Sequence, residues 1–299
     1  MATNPATFFG FDGPFLQKLE RLAVLSRHPI PGLAAGPRRS PRRGSSVEFA
    51  DFREYAPGDD FRRIDWKVYG RLDRLFLRLY SAEEITTLTL FLDRSTSMGF
   101  GSPSKALFAA RLAAVFSYVA LHNYDLVAVA GWGEKLDRYY PPRGGKAAIP
   151  EVWGRISSVL SSPEGQTDFT ALRGFQHVRR GRGICIVLSD VLSDSDWRAG
   201  LRALRGAGQE VSLIQILAPE EIDPSIRGDW KLQDAENGRE VEITVSPRLL
   251  KRYQEELAAH TAEVREYCRR QGVTFLQLPS DASISETVLT GLHAGGLLG

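Results

Sequence analysis

The sequence predicts an α/β fold, a doubly wound and mostly parallel sheet preceded by a β-rich N-terminal arm. Three observations carry this. From residue 86 onward, apolar runs at 88–92, 125–132, 183–190, 210–217 and 273–278 alternate with segments of helical periodicity. Strand and helix in repeated alternation is the pattern of parallel strands joined by crossover helices. The runs are largely apolar, as strands covered on both faces must be. Two of them end on an aspartate, Asp93 and Asp190, and sheets of this kind form their sites at the carboxyl ends of the strands. Before residue 86 the pattern changes to mixed charge and aromatics. The chain is therefore divided into an arm, residues 1–85, and an α/β domain, residues 86–299.

The composition suits a folded domain: 299 residues, 43% hydrophobic and 25% charged, can bury a sizeable core. A net charge of +2 gives no global electrostatic case for nucleic acid or acidic membranes. Cys185 lies in an apolar run and Cys268 near the end of an amphipathic helix. Both read as small buried residues in a reducing compartment. No window reaches the roughly 18 apolar residues of a membrane span, and the N-terminus lacks a basic start followed by an apolar core. The expectation is a cytoplasmic protein with no membrane insertion.

In chain order, Gly13-Pro14 opens a helix to about residue 26. Its apolar face (Phe15, Leu16, Leu19, Leu22) needs a partner, so it is expected to dock on the main domain. Residues 29–46 are a Pro-, Gly- and Ser-rich loop with four arginines. Residues 47–55 alternate as a strand, 56–60 form a turn, and 61–68 and 75–80 read as further extended pieces. Between Arg38 and Tyr80 stand eleven Lys/Arg and seven Asp/Glu, interleaved with aromatics. That density fits a small β-rich subdomain with internal ion pairs, and equally a docking surface anchored by aromatics and arginines.

Residues 104–122, apolar nearly all round, form a buried helix. After the strand at 125–132, residues 135–140 form an edge strand closed by Pro141-Pro142. Helices follow at 148–161 and 170–178, separated by a loop at 162–169. Beyond the strand at 183–190 come a helix at 197–206 and a strand at 210–217. Residues 220–245 are polar, and 239–245 alternate like an edge strand. Ser246-Pro247 caps a long helix that Gly272 ends. The last strand, 273–278, precedes a closing helix at 283–292.

The strand at 88–92 delivers Asp93-Arg94-Ser95-Thr96-Ser97, an Asp-x-Ser-x-Ser loop. Taken alone, an aspartate followed by hydroxyls at a strand end is more often a turn or a helix cap than a metal ligand. Asp93, Ser95, Ser97, Thr167 and Asp190 together offer two carboxylates and three hydroxyls. Such a set of hard oxygens suits Mg²⁺ or another divalent cation that keeps several waters.

These five positions resemble the metal-ion-dependent adhesion site of the von Willebrand factor type A domain, a Rossmann-like fold. There Asp-x-Ser-x-Ser ends the first strand, a Thr arrives on a later loop, and an Asp follows a further central strand. The resemblance implies a cation held partly through waters, with one position open to a partner's carboxylate. Asp168, beside Thr167, departs from the plainer pattern and reads as a supporting group or a helix cap. The arm narrows the match. Gly44, Glu48, Phe49, Arg53, Tyr55, Pro57, Gly58, Asp59, Asp60, Arg62, Ile64, Asp65, Trp66 and Arg71 resemble the segment that precedes a type A domain in the bacterial "domain of unknown function 58" family, and Glu83 also fits. That resemblance implies an adaptor acting with MoxR-type AAA+ ATPases in assembling or maturing other proteins. Many relatives carry N-terminal membrane segments, and the expectation here is none. Around Trp66, alternating Asp and Arg suggest ion pairs and a stacked indole, a latch for the arm. Arg53, Tyr55, Asp59, Arg62, Asp65 and Trp66 are the candidate partner-binding residues.

The sequence thus supports a non-catalytic, Mg-dependent protein-interaction module, because no nucleophile or base accompanies the oxygen site. Two alternatives compete. A metal-dependent hydrolase or phosphotransferase would use Asp93 as nucleophile, but it needs a second aspartate two residues on as acid/base, where this chain has Ser95, and its cleft lysine would have to be Lys105, a weak candidate. RNA or DNA binding would use 38–43 and Arg179-Arg180-Arg182, both short runs.

Overall fold

The polypeptide divides into two units, residues 28–85 and the remainder. The computed structural model describes residues 9–25, 48–56, 59, 61, 64–81, 85–161, 163, 165–178, 181–235, 238–292 and 295–299. The boundary expected at 85/86 coincides with the division at Thr86, but the described residues before 28 group with the α/β unit rather than with the arm.

The first helix, α1 (Gly13–Leu19), is capped by Asp12, whose carboxylate accepts the Phe15 N–H at 2.8 Å. It is shorter than its apolar face suggested, and that face docks as expected. Phe15 and Leu19 are buried in the α/β core. Phe9 meets Trp153 edge-on, and Val24 bridges to Leu298 at the C-terminus.

The arm unit consists of β1 (Glu48–Glu54), α2 (Trp66–Leu72) and β2 (Phe76–Ser81). β1 and β2 form an antiparallel pair, as its β-rich reading required. The piece at 61–68 is not extended throughout. Asp65 is a helix N-cap, accepting the N–H groups of Lys67 and Val68, and this cap converts the alternating pattern into a short helix.

The α/β unit then runs β3 (Thr87–Asp93), α3 (Lys105–His122), β4 (Leu126–Trp132), β5 (Arg138–Gly144), α4 (Ile149–Leu160), β6 (Gly183–Ser189), α5 (Trp197–Gly206), β7 (Gln209–Leu217), α6 (Pro219–Ile222), β8 (Gly228–Gln233), β9 (Glu240–Val245), α7 (Pro247–Gln271) and β10 (Thr274–Pro279). The central sheet has the order β10-β7-β6-β3-β4-β5, parallel except for β5. Leu88, Leu90 and Leu92 face one apolar core with α3, while Phe91 faces a second with Trp132, Phe175 and Trp197. The alternation along β3 therefore seals both faces at once, and all seven of its residues are buried.

Four expectations are corrected. β5 continues through Pro141 and Pro142. It is an edge strand whose register shifts opposite Val127 and Val129, and a bulged edge tolerates the missing N–H groups. The polar stretch after β7 contributes two strands, because β8 pairs with β9 as a separate antiparallel hairpin. The segment after the 162–169 loop is a 3₁₀ helix, Phe169–Gly174, extended by one α-turn, Phe175–Val178. The closing helix is a short α-turn followed by a π-helical segment, Thr287–Leu292. The expectation that no window is long and apolar enough for a membrane span is corrected as well: by length and composition α3 passes that test. In the structure 78% of it is buried inside the α/β unit.

Candidate functional site

The sheet order reverses between β3 and β6: from β3 the chain moves to β4 on one side, and β6 and β7 lie on the other. Loops leaving two such strands diverge and open a crevice at their carboxyl ends. Asp93 ends β3 and Asp190 follows β6, so the two aspartates stand on either side of this switch point.

The five expected residues are brought together in one hydrogen-bonded network. Asp93 Oδ1 accepts the Ser95 N–H at 2.9 Å, which turns the loop back on its own aspartate. The same oxygen accepts the Thr167 hydroxyl. Asp93 Oδ2 accepts Ser189 Oγ at 2.5 Å. Ser95 Oγ and Ser97 Oγ lie 3.0 Å apart, and Ser97 Oγ donates to Asp190 Oδ2 at 2.9 Å. The Thr96 N–H donates to the Gly165 carbonyl at 3.1 Å, joining the first loop to the loop that carries Thr167.

Asp190 is aimed by a strained turn. Val191 has φ 57°, a left-handed conformation that a β-branched residue rarely adopts. Its N–H donates to Ser189 Oγ at 3.0 Å, the Leu192 N–H donates to Asp190 Oδ1 at 3.2 Å, and Gln215 Nε2 holds the Asp190 carbonyl at 2.9 Å. Asp168 is resolved in favour of the cap: its carboxylate accepts the Thr170 N–H and hydroxyl at 2.8 and 2.6 Å.

Sequence reasoning missed Ser189, Gln215 and Glu221, and it gave Lys105 a place only in the phosphotransferase reading. Lys105 is the first residue of α3 and fully buried, and its ammonium donates to Asp190 Oδ2 at 2.8 Å and Glu221 Oε1 at 2.5 Å. Glu221 lies on α6, where its other oxygen accepts the Ala218 N–H at 2.7 Å. The available signals were Ser189 beside Asp190 and the Ala-Pro-Glu-Glu helix start that places Glu221 at the third helical position.

The electrostatics are those of an anionic site short of positive charge. Burial first, and then the neighbouring Asp190, push the Asp93 carboxyl up to about 6, against the hydrogen bonds from Ser189, Thr167 and Ser95. Burial works against the Lys105 ammonium, but Asp190 and Glu221 outweigh it and hold its pKa above the ordinary lysine value. The donor set is all oxygen and converges from three loops. It fits a hard divalent cation, which would relieve the repulsion that raises Asp93. The site lies in a groove of 1410 Å³ bordered by Ser97, Thr167, Asp190, Glu221 and Tyr253, with Asp234 beyond β8 along one wall.

Of the candidate partner-binding residues, the Arg53 side chain and all of Arg62 lie outside the described residues. So do Gly44, Pro57, Gly58, Asp60, Glu83, the run at 38–43 and Arg179-Arg180. Within the arm unit, Asp59 closes the turn by accepting the Ala56 N–H at 2.9 Å, and the Tyr55 N–H donates to the Leu75 carbonyl at 2.8 Å. Asp65 is the α2 cap. Trp66 is 63% exposed and meets Tyr69 edge-on, so within this unit its indole is a surface feature rather than a stacked, buried latch.

Residues 51–263 match the family described as "Protein of unknown function DUF58". The uncharacterized protein Rv1480 of Mycobacterium tuberculosis is 30% identical over 268 residues, covering 88% of this chain and 84% of its own. The uncharacterized protein MAV169 of Mycobacterium avium is 32% identical over 143 residues, 47% of this chain and 84% of its own. Among solved structures, the conserved hypothetical protein BatB of Bacteroides thetaiotaomicron aligns over 70% of this chain and 98% of its own, with TM-score 0.41 and 16% identity. The SpRpn10 VWA domain aligns over 69% of this chain and 94% of its own, with TM-score 0.35 and 11% identity.

Proposed function

This chain belongs to the DUF58 family of proteins of unknown function, and from that premise we propose that it is a non-catalytic, metal-dependent protein-binding module. We place it as an adaptor that works with a MoxR-type AAA+ ATPase in assembling or maturing other proteins. The observation that carries the first part is the convergence of Asp93, Ser95, Ser97, Thr167 and Asp190 at the switch point of the sheet, beside a groove wide enough for a partner segment. The ATPase as partner rests on the resemblance of the arm pattern alone.

Asp93, Asp190 and the three hydroxyls would hold the cation. A divalent cation bound there supplies an open coordination position that a partner's carboxylate can fill. The chain's own residues do the rest. Ser189, Gln215 and the Val191 turn fix the two carboxylates in advance, so partner binding need not order them. Exposed Trp66 and Tyr69 offer the arm an aromatic contact of the kind that dominates interfaces. The position two residues after Asp93, where a phosphotransferase would place its acid/base, is Ser95, engaged with Ser97.

The test is capture of the AAA+ ATPase by the full chain, with wild type beside Asp93→Ala, in Mg²⁺ and in EDTA. Retention by wild type in Mg²⁺ alone is the expected result. Capture that survives both EDTA and Asp93→Ala refutes the proposal.

A further inference from the structure

One feature of the site has no place in a plain oxygen cage. A lysine, Lys105, is fully buried at its edge, and its ammonium is shared between a site carboxylate and a carboxylate outside the site. Burying a lysine is costly unless it is paired. Here it has two partners, and they differ. Asp190 Oδ2 also accepts Ser97 Oγ, so the ammonium and the hydroxyl draw on one oxygen of a carboxylate that would also hold the cation. Glu221 is independent of the five residues. Its Oε2 is fixed by the Ala218 N–H and its Oε1 faces Lys105, so it remains a complete partner for the ammonium if Asp190 turns away. Tyr253 of α7 donates to the Glu221 carbonyl at 2.8 Å and helps hold that turn in place.

We infer that Lys105 is an internal counter-cation that competes with the divalent cation for Asp190, with Glu221 as the resting place to which the ammonium withdraws when the cation is taken up. This deepens the metal-dependent reading and rests on it. Two consequences follow from the charges. Without a divalent cation, Lys105 neutralises Asp190 and keeps the loop after β6 in place. With one, uptake must work against a buried positive charge, so the chain alone binds the cation weakly, and a partner's carboxylate adds the missing negative charge. Lys105 therefore favours joint uptake of cation and partner over cation binding alone.

The two residues make opposite predictions, which separates this role from a merely structural one. Lys105→Met removes the competitor and should tighten Mg²⁺ or Mn²⁺ binding by on the order of tenfold or more, since a unit charge a few ångströms away in a buried site is weakly screened. Glu221→Gln removes the resting place, leaves the ammonium to Asp190 alone, and should weaken binding several-fold. Calorimetric titration of MgCl₂ and MnCl₂ into full-length wild type, Lys105→Met, Glu221→Gln and the double variant reads both, with circular dichroism confirming the fold. If Lys105→Met does not fold, Glu221→Gln still decides by its sign. Tighter binding by Lys105→Met with weaker binding by Glu221→Gln supports the inference. Binding by wild type that Lys105→Met leaves unchanged or weakens, or that Glu221→Gln strengthens, overturns it while the metal reading stands. Absence of binding in wild type and Lys105→Met alike overturns both.

Discussion

The substitution Asp93→Asn tests the electrostatics of the site directly. Asp93 is fully buried, and its carboxyl is held up at about 6 from an ordinary 3.8, first by burial and then by Asp190. A raised carboxyl pKa means that the folded state binds the proton more tightly than the unfolded chain does. The resulting penalty is absent below the unfolded value, grows between about pH 4 and 6, and is complete above the folded value. A shift of that size corresponds to about 3 kcal/mol. Asparagine keeps the acceptor for the Ser95 N–H and the Thr167 hydroxyl, and its amide can donate to Ser189 Oγ once that hydroxyl turns, so the geometry survives without the charge. Urea unfolding of wild type and Asp93→Asn, in EDTA at a series of pH values, gives a difference in which titrating groups remote from Asp93 cancel. Asp93→Asn should match wild type near pH 4 and exceed it by about 3 kcal/mol at pH 7. Millimolar Mg²⁺ should shrink that gap by stabilising wild type alone. A difference that does not change with pH, or a variant less stable than wild type at pH 7 in EDTA, would refute the reasoning.

Leu19→Ala should cost about 2–5 kcal/mol in urea unfolding of the α/β unit, because the N-terminal helix is part of its core; a cost below 1 kcal/mol would show that the helix is dispensable. Gly200→Ala would drive its Cβ into the Phe169 carbonyl oxygen, a backbone atom just beyond Thr167 and Asp168. It should cost about 1–3 kcal/mol by thermal melting and loosen the Thr167 loop, and an unchanged melting temperature would count against the packing of α5 there. Burial pushes the Cys268 thiol up to about 12, and both cysteines are buried with no disulfide joining them. A thiol reagent at pH 8 should therefore label neither in the native chain and both in guanidinium; rapid native labelling would contradict that burial. Trp66→Ala should change stability by less than about 1 kcal/mol, since the indole is mostly exposed, yet weaken capture of the AAA+ ATPase; unchanged capture would exclude Trp66 from the interface.

The sequence by itself determined the fold class and singled out five residues that the structure brings together. Strands buried on both faces must be apolar throughout, so β3, β6 and β7 announce themselves, and Asp93 and Asp190 stand out as carboxylates at the ends of such runs. Periodicity failed where local chemistry competes with it. Asp65 as a cap turned an alternating stretch into α2, an edge bulge carried β5 through two prolines, and β8 was hidden in a polar stretch because neither of its faces is buried. Only the tertiary structure decided what surrounds the two aspartates. Ser189, Gln215, Lys105 and Glu221 come from four separate elements, and apart from Ser189, which adjoins Asp190, no spacing along the chain marks them as its neighbours. A buried charge selects its partners by distance in space, and those distances are set by the sheet order that places β6 beside β3. That order put the Lys105 ammonium against Asp190.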